Sequence, residues 1–216
     1  MKKLLFLLSL LVTSKVFATI RVAVVDTGVR QNGDYLCPTG HVDLTGRGYY
    51  DYNGHGTNIS GIIHKNNIDR DYCQVILKYT TGIGYEKALE NTIEAFRLAI
   101  EEKVDIINYS SVGDQPNPEE KKMVLKVLDA GIILVVASGN QGYNLDMGCS
   151  AYPACYDERI IVVGRDPKYY GNFGSIVDYY INGTNQTGFG VTMSGTSQST
   201  AVMTGKLITE KARKRR

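Results

Sequence analysis

The sequence predicts an α/β fold, a three-layer structure in which a mostly parallel, twisted sheet carries helices on both faces. Short runs of β-branched apolar residues alternate along the chain with longer segments in which apolar residues recur every three or four positions. This is the pattern of strands that alternate with amphipathic helices. The strand segments are apolar throughout rather than at every second residue, which is typical of parallel strands covered on both sides. We therefore expect one domain of this class.

Five strands are predicted, each a run rich in Val and Ile that stops at turn residues. They cover 20–29, 74–79, 104–110, 132–138 and 159–164. Amphipathic helices are predicted over 55–64, over 86–102, and from Pro118 to a stop at Gly131. The segment 30–54, which is rich in Gly, Tyr, Asn and Asp, is expected to form a loop with a short hairpin.

The first eighteen residues have the pattern of a secretory signal peptide. Lys2 and Lys3 precede a short apolar run, and the segment closes on Ala18. We expect cleavage after Ala18 and an exported protein, periplasmic or extracellular. An uncleaved membrane anchor is the alternative, although the apolar run is short for a bilayer. The expected organisation is a signal peptide (1–18), one domain (19–210) and a basic C-terminal tail (211–216), with no stable membrane insertion.

The charge of the chain is divided unevenly. Without the three lysines of the signal, the 24 basic residues fall to 21 against 22 acidic ones, and five of those 21 lie within 211–216. The remaining domain is therefore acidic, with a net charge of −6. An acidic body without a basic stripe predicts no nucleic-acid partner. The basic run is typical of a solvated helix end, because cations suit a helix C-terminus.

The four cysteines suit an exported chain with disulfide bonds. Sequence alone leaves three pairings open for Cys37, Cys73, Cys149 and Cys155. The short gap between Cys149 and Cys155 favours a local loop, which leaves Cys37 to pair with Cys73. The C-x-x-C spacing of zinc and redox sites is absent from the sequence, so a cysteine-bound metal is not expected.

Polar residues collect where predicted strands end, which is where ligands bind in open parallel sheets. Asp26 follows Val24-Val25 directly, and His55 lies between two glycines at the start of a predicted helix. Ser197 lies in a hydroxyl-rich turn before another helix. Alone, each has an ordinary interpretation: an Asx turn, a packing histidine and a helix cap. Together they form the set in which a carboxylate orients a histidine and the histidine activates a serine.

Six segments in register strengthen the catalytic interpretation. They are VAVVDTGV, NGHGTNISGII, INYSSVG, ASGNQG, YPACYDERIIVVG and SGTSQSTAVMTG. In this order they resemble the motif blocks of subtilisin-like serine proteases (subtilases), from about residue 20 to 208, and the Asp, His, Ser order is the same. The resemblance implies a subtilisin-like α/β fold and peptide-bond hydrolysis through an acyl-enzyme.

The resemblance also assigns roles to residues. It implies that Asp26 orients His55, that His55 is the general base and that Ser197 is the nucleophile. Asn140 would stabilise the oxyanion together with the Ser197 backbone N–H. Two further groups would bind substrate, the first as a strand that pairs with an extended peptide and the second as the pocket for the residue before the cut. They are Ser110, Ser111, Val112 and Gly113, and Ala137, Ser138, Gly139 and Ala151. The small residues of the second group suggest a roomy, uncharged pocket.

The sequence departs from the family pattern in places. Asn58 replaces a second histidine and Gln198 replaces a methionine. The family commonly has a pro-segment, whereas here the first strand follows the predicted cleavage point. Three explanations for this difference stay open. The protein folds without a pro-segment, another chain supplies the chaperone or inhibitor, or the protein is a shortened member of the family. Calcium is often bound in the family, so the resemblance leaves calcium open as a ligand, although Asp43, Asp51 and Asn53 lack the spacing of an EF-hand loop. We expect no required cofactor or metal.

The sequence therefore predicts a monomeric, exported serine endopeptidase acting on protein or peptide substrates. The alternative is a catalytically weak or inactive secreted module of the same fold that binds peptides or proteins. The departures from the family pattern favour this alternative. The presence of all three catalytic residue types favours the enzyme, because a binding module has no chemical need for them.

Overall fold

A sheet of seven parallel strands lies at the centre of the fold. The computed structural model describes residues 19–67, 72–82 and 87–215, so the predicted signal peptide lies outside the described residues. Within that part of the chain the strands are β1 (Ile20–Asp26), β2 (Val42–Asp43), β3 (Tyr72–Lys78), β4 (Ile106–Tyr109), β5 (Ile133–Ala137), β6 (Ile161–Asp166) and β7 (Tyr179–Asn182). Their order across the sheet is β2-β3-β1-β4-β5-β6-β7.

Helices cover both faces of this sheet. They are α1 (His55–Lys65), α2 (Ala88–Glu101), α3 (Pro118–Asp129) and α4 (Thr196–Arg215). An antiparallel hairpin of β8 (Gln186–Gly188) and β9 (Val191–Met193) packs beside α1. Short 3-10 helices occupy Leu145–Met147, Ala154–Tyr156 and Lys168–Tyr170. The three-layer α/β fold that the sequence predicts is therefore the observed one.

The central strands are buried on both sides, which explains their continuous apolar composition. In β1, Ala23 and Val25 belong to the core under α2 and α3, whereas Val22 and Val24 belong to the core under α1 and α4. Successive side chains of a strand point to opposite faces, so a strand with helices on both faces needs apolar residues at every position.

The position of β1 creates the site. β1 pairs with β3 on one side and with β4 on the other, so the chain crosses over β1 between them. Because all seven strands of the described sheet are parallel, their carboxyl ends meet at one edge. Ligands bind at such a switch point in open α/β sheets. Asp26 ends β1 at this point.

Three local features differ from the expectations or extend them. The hairpin expected within 30–54 is wrong: β2 has two residues and pairs in parallel with β3, with Val42 opposite Leu77. Strand β7 was not predicted, because its sequence YYIN is partly exposed at the sheet edge and lacks an apolar run. Helix α4 continues through most of the basic segment 211–216, because Ala212 is buried and Arg215 pairs with Asp105 at 2.5 Å.

Two disulfides are formed, in the pairing that the cysteine spacing favours. Cys37–Cys73 ties the loop before β2 to β3, and Cys149–Cys155 closes a loop with a sequence separation of 6. No helix in the described ranges has both the length and the apolar character that a membrane span requires.

Candidate active site

Asp26 and His55 form a direct pair at the carboxyl edge of the sheet. The Nδ1 atom of His55, the first residue of α1, lies 2.8 Å from Oδ1 of Asp26. The same oxygen accepts the backbone N–H of Thr27 at 2.8 Å. An ionised carboxylate only accepts hydrogen bonds, so the imidazole donates from Nδ1–H and presents Nε2 as a base. This is the tautomer that a general base needs.

The environment of His55 raises its pKa above the ordinary 6.5. Burial lowers the pKa, but the charge of Asp26, its hydrogen bond to the ring and the charge of Asp51 together outweigh burial. The side chain of His55 is still 27% exposed, so the base stays open to solvent on one side. Nearby carboxylates raise a histidine pKa because they favour the charged imidazolium.

Asp51 is a second, fully buried carboxylate beside this pair, with 0% exposure. Its Oδ1 accepts the Thr27 hydroxyl (2.9 Å) and the backbone N–H groups of Asn53 (3.0 Å) and Gly54 (2.8 Å). Its Oδ2 accepts the backbone N–H and the hydroxyl of Thr57 at 2.9 and 2.6 Å. Asp51 therefore joins the residue after Asp26 to the first turn of α1. From the sequence, Asp51 is only a candidate calcium ligand, and this structural role is not predicted.

The glycines around His55 permit close backbone contact rather than contact with a ligand. A Cβ on Gly56 would lie 2.3 Å from the carbonyl oxygen of Gly28, in the turn that follows Asp26. Gly54 adopts a φ of 96°, which favours glycine. The two glycines thus let the start of α1 press against the end of β1, and this packing brings His55 to Asp26.

Ser197 lies in the first turn of α4 and is 8% exposed. Its hydroxyl donates to the backbone carbonyl of Ser110 at 2.9 Å, and the Ser110 hydroxyl donates back to the carbonyl of Ser197 at 3.1 Å. Within the described part of the chain, no hydrogen bond joins Ser197 to His55. The structure therefore joins two of the three predicted catalytic residues directly and holds the third against the end of β4.

The two departures Asn58 and Gln198 contact each other and connect α1 to α4. Nε2 of Gln198 donates to Oδ1 of Asn58 at 2.9 Å, and both residues are buried. The Asn58 amide also donates to the carbonyls of Gln186 (2.9 Å) and Val191 (2.7 Å) in the β8–β9 hairpin. Because Gln198 follows Ser197 and Asn58 lies one turn after His55, this pair fixes the two helices that carry the base and the serine.

Asn140 contacts the start of the same helix α4. Its Oδ1 accepts the backbone N–H of Thr196 at 2.9 Å and the Thr196 hydroxyl at 3.2 Å. The amide Nδ2 makes no hydrogen bond with a described residue, and the residue is exposed. The amide oxygen thus fixes the position of the Asn140 side chain, and the two N–H donors of its Nδ2 remain available to an acceptor. The structure places Asn140 against Thr196, the residue before Ser197, and its role at the oxyanion stays a prediction.

Asn172, which was not predicted as a site residue, organises the loop that carries Asn140. It is 1% exposed. Its Nδ2 donates to the carbonyl of Ser138 at 2.8 Å and to Oε1 of Gln141 at 3.1 Å. Its Oδ1 accepts the N–H groups of Gln141 and Tyr143 at 3.1 and 3.0 Å. A polar residue in a loop carries no local signal for this role, because its hydrogen bonds reach residues 29 to 34 positions away.

The predicted substrate strand follows β4. Ser111 and Val112 are partly exposed, whereas Gly113 already pairs with Tyr152 through reciprocal backbone hydrogen bonds of 2.8 and 2.9 Å. A cavity of about 310 Å³ lies beside this strand and is lined by Val112, Gly113, Asp114, Gln141, Tyr143 and Ser150. It adjoins Asn140, since Gln141 is the next residue.

Four predicted pocket residues do not line this cavity. Ala137, Ser138, Gly139 and Ala151 are buried, and the Ser138 hydroxyl donates to the carbonyl of Asn172 at 3.0 Å. Ala137 ends β5, and Ser138 and Gly139 follow it directly. Asp114 lines this cavity, so the cavity carries a carboxylate, and the uncharged pocket stays a prediction.

The loop considered for calcium uses its oxygens internally. Asp43 accepts the N–H and hydroxyl of Thr45 at 2.9 and 2.6 Å and the N–H of Gly48 at 2.6 Å. With Asp51 also directed at protein donors, this donor set does not fit a calcium ion. Within the ranges that the structure describes, no group of three or more His, Cys, Asp or Glu residues is arranged to hold a metal.

The fold and the site together define an α/β protein with a carboxylate–histidine pair and a helix-terminal serine at the edge of a parallel sheet. The chain belongs to the Subtilase family, whose model matches residues 18–213. Among solved structures it is similar to a cold adapted subtilisin-like serine proteinase, with a TM-score of 0.77 and 21% identity, covering 92% of this chain and 78% of that one. A lanthipeptide protease gives a TM-score of 0.76 at 16% identity, with 91% and 75% covered. These likenesses show the fold.

Curated relatives carry both intracellular and extracellular names. The "Major intracellular serine protease" of Bacillus subtilis (strain 168) is 31% identical over 194 residues, which is 77% of this chain and 58% of the relative. The "Minor extracellular protease Epr" of the same organism is 30% identical over 198 residues, which is 84% of this chain and 30% of the relative. The chain thus spans less than two thirds of the length of these relatives.

Proposed function

We propose that this protein is an exported serine endopeptidase that hydrolyses peptide bonds through Asp26, His55 and Ser197. The Ser197 Oγ attacks the scissile carbonyl carbon while Nε2 of His55 takes its proton. His55 then gives that proton to the leaving amine, and water hydrolyses the ester on Ser197 by the same route. Asp26 keeps the ring in the required tautomer and stabilises the imidazolium.

The observation that carries this proposal is the 2.8 Å contact between His55 Nδ1 and Asp26 Oδ1. A buried carboxylate is costly unless it is paired and hydrogen-bonded, and here the pairing leaves a histidine base partly open to solvent. Membership of the Subtilase family supports the same chemistry.

Ser197 supports the proposal through its place at the start of α4. The first turn of a helix has unpaired N–H donors and the positive end of the helix dipole, which stabilise a developing negative charge. The free N–H groups of Asn140 add a donor at the same helix terminus. The Ser197 hydroxyl donates to the backbone carbonyl of Ser110, so attack requires the Ser197 side chain to rotate toward His55. Catalytic hydrogen bonds are often absent before substrate binds and form in the complex.

Export is part of the proposal. Two disulfides, Cys37–Cys73 and Cys149–Cys155, suit an oxidising compartment. The composition of residues 1–18 agrees with a signal peptide. The names of the relatives do not decide the compartment, since both kinds occur among them. We further propose that the protein is a monomer that requires no metal and acts on protein or peptide substrates, and that another chain supplies its chaperone or inhibitor.

One observation favours a second candidate, an inactive module that binds peptides. The Ser197 hydroxyl is held by Ser110 rather than by His55. If that bond persisted with substrate present, the serine would stay a poor nucleophile, because no base would take its proton.

A fluorophosphonate probe separates the two candidates, because only an activated serine reacts quickly with it. We expect stoichiometric labelling of the oxidised protein, measured by intact mass, and loss of labelling in Ser197→Ala. Thr196→Ser is a matched control that keeps a hydroxyl in the same turn. A folded protein that takes no label would contradict the enzyme and favour the binding module.

A further inference from the structure

A second cavity borders the predicted substrate strand and is separate from the one beside Asn140. It has a volume of about 460 Å³. Ser111, Val112, Gly113 and Asp114 form one wall, and the other walls come from the ends of β3 and β4, the start of α2 and the first turn of α3. It contains no residue of the loop around Asn140, so it lies farther along the strand from the proposed oxyanion site.

One of the residues that line this cavity is a buried carboxylate, Glu120, in the first turn of α3. Glu120 is 4% exposed. Its Oε2 accepts the hydroxyl of Tyr156 at 2.7 Å. No hydrogen bond from a described residue reaches Oε1, yet that atom is not among the enclosed polar atoms without a partner. Oε1 therefore keeps some exposed surface and has no protein partner among the described residues, and Glu120 lines the cavity.

The other lining groups suit a cation with a long aliphatic stem. Asp114 is a second carboxylate, and among the described residues no Lys, Arg or His lines the cavity. The rings of Tyr79 and Tyr109, 5.7 Å apart, form an aromatic wall. Thr92 adds a hydroxyl that lies 3.2 Å from the hydroxyl of Tyr109. Carboxylates bind ammonium and guanidinium groups by charge-assisted hydrogen bonds, and aromatic faces attract the same cations.

We propose that this cavity binds a lysine or arginine side chain of the peptide substrate and that Glu120 is the residue that selects it. The inference rests on the proposed peptidase function. An extended peptide pairing with the strand at Ser111 and Val112 would direct one of its side chains into the cavity. The charged end would meet Oε1 of Glu120 and the carboxylate of Asp114, while the methylene stem would pack on the tyrosine rings.

The electrostatics of Glu120 agree with this assignment. Burial raises the pKa of Glu120, and the hydroxyl of Tyr156 offsets only part of that effect. A bound cation would lower the pKa again, since an opposite charge favours the carboxylate. Burial therefore disfavours the ionised form of Glu120, and a cationic side chain in the cavity would favour that form.

The test is a series of internally quenched peptides in which one position at a time carries lysine, arginine or norleucine. Norleucine keeps an aliphatic stem without the charge. We expect kcat/KM to favour lysine or arginine over norleucine at one position by roughly 10- to 100-fold, the value of a hydrogen bond to a charged group. In Glu120→Gln the preference should fall severalfold, and in Glu120→Leu it should reverse in favour of norleucine.

Glu119→Gln is the matched control, because Glu119 is the exposed neighbour in the same helical turn and does not line the cavity. It should retain the wild-type preference. Fluorophosphonate labelling of each variant reports an assembled site without depending on peptide sequence. If neither Glu120 variant takes the label, the wild-type series still decides.

Each result has one meaning. Cleavage of the peptides without a preference for a cation at any position overturns the specificity proposal and leaves the peptidase intact. A cation preference that persists in labelled Glu120→Leu also overturns it, because another group must then select the side chain. Failure of the wild-type protein to label or to cleave overturns the proposed function, and this inference with it.

Discussion

Replacing Asp51 by asparagine is expected both to destabilise the protein and to make His55 a weaker base. The substitution keeps the size of the side chain but turns one carboxylate oxygen into an NH₂ group. If that group replaces Oδ2, it faces the backbone N–H of Thr57, which Oδ2 now accepts at 2.9 Å. A buried donor would then lose its partner, and the remaining bonds to the residue would lose their charge.

The expected cost follows from these contacts. Loss of one charge-assisted hydrogen bond, with its donor left buried, costs about 1.5–3 kcal/mol. Weakening of the bonds to Thr27 and Gly54 adds to this, and relief from burying a charge offsets part of it. We expect the free energy of unfolding to fall by about 2–4 kcal/mol. Urea unfolding in a Ser197→Ala background measures it without self-digestion.

The same substitution should shift the pH dependence of the active site. The charge of Asp51 helps to raise the pKa of His55 above 6.5. His55 must be neutral to act as a base, so the fluorophosphonate labelling rate should rise with pH through that raised pKa. In Asp51→Asn the midpoint should move to lower pH. A raised histidine pKa stabilises the fold fully below about pH 6.5, and this stabilisation disappears as the pH rises through the folded-state pKa.

Asp166→Asn provides the matched control, because Asp166 is exposed at the end of β6 and should change stability by less than about 0.5 kcal/mol. The reasoning about Asp51 is refuted if Asp51→Asn unfolds at the wild-type urea concentration and labels with an unchanged pH midpoint.

Three further predictions concern the surroundings of the same site. Gln198→Leu and Asn58→Ala should each lower the free energy of unfolding. A double-mutant cycle in urea should give a coupling energy of about 0.5–3 kcal/mol, because the two amides contact at 2.9 Å. Additive effects would show that the two residues act separately. Asn140→Ala should slow peptide cleavage about 10²–10³-fold, the usual effect of losing an oxyanion donor, and unchanged turnover would remove Asn140 from the mechanism. Removing Cys37–Cys73 by paired Ser substitutions should lower the free energy of unfolding by about 1–2 kcal/mol more than removing Cys149–Cys155. The first disulfide closes the longer loop, with a sequence separation of 36 against 6 for the second. Equal losses in thermal unfolding would contradict the loop-entropy explanation.

The sequence by itself determined the fold class and the order of its main elements. Continuous apolar runs such as β1 are required wherever helices cover both faces of a strand, so the parallel sheet can be inferred from composition alone. The sequence also determined which residue types could form a catalytic set, since Asp26 follows a buried strand and Ser197 begins a helix. These features depend on neighbours within a few residues, and local patterns carry them.

Only the tertiary structure decided what these residues contact. Asp51 accepts hydrogen bonds from Thr27 and Thr57, and Asn172 both donates to and accepts from the loop around Asn140. Asn58 pairs with Gln198 at a sequence separation of 140. Glu120 appeared in the sequence as an ordinary acidic residue of a first helical turn, yet in the fold it is buried against Tyr156 and lines a cavity. The hydrogen bond of Ser197 to Ser110 likewise could not be predicted from the sequence. Partners of this kind depend on which chain segments meet in space, and burial then fixes the energy of each polar contact.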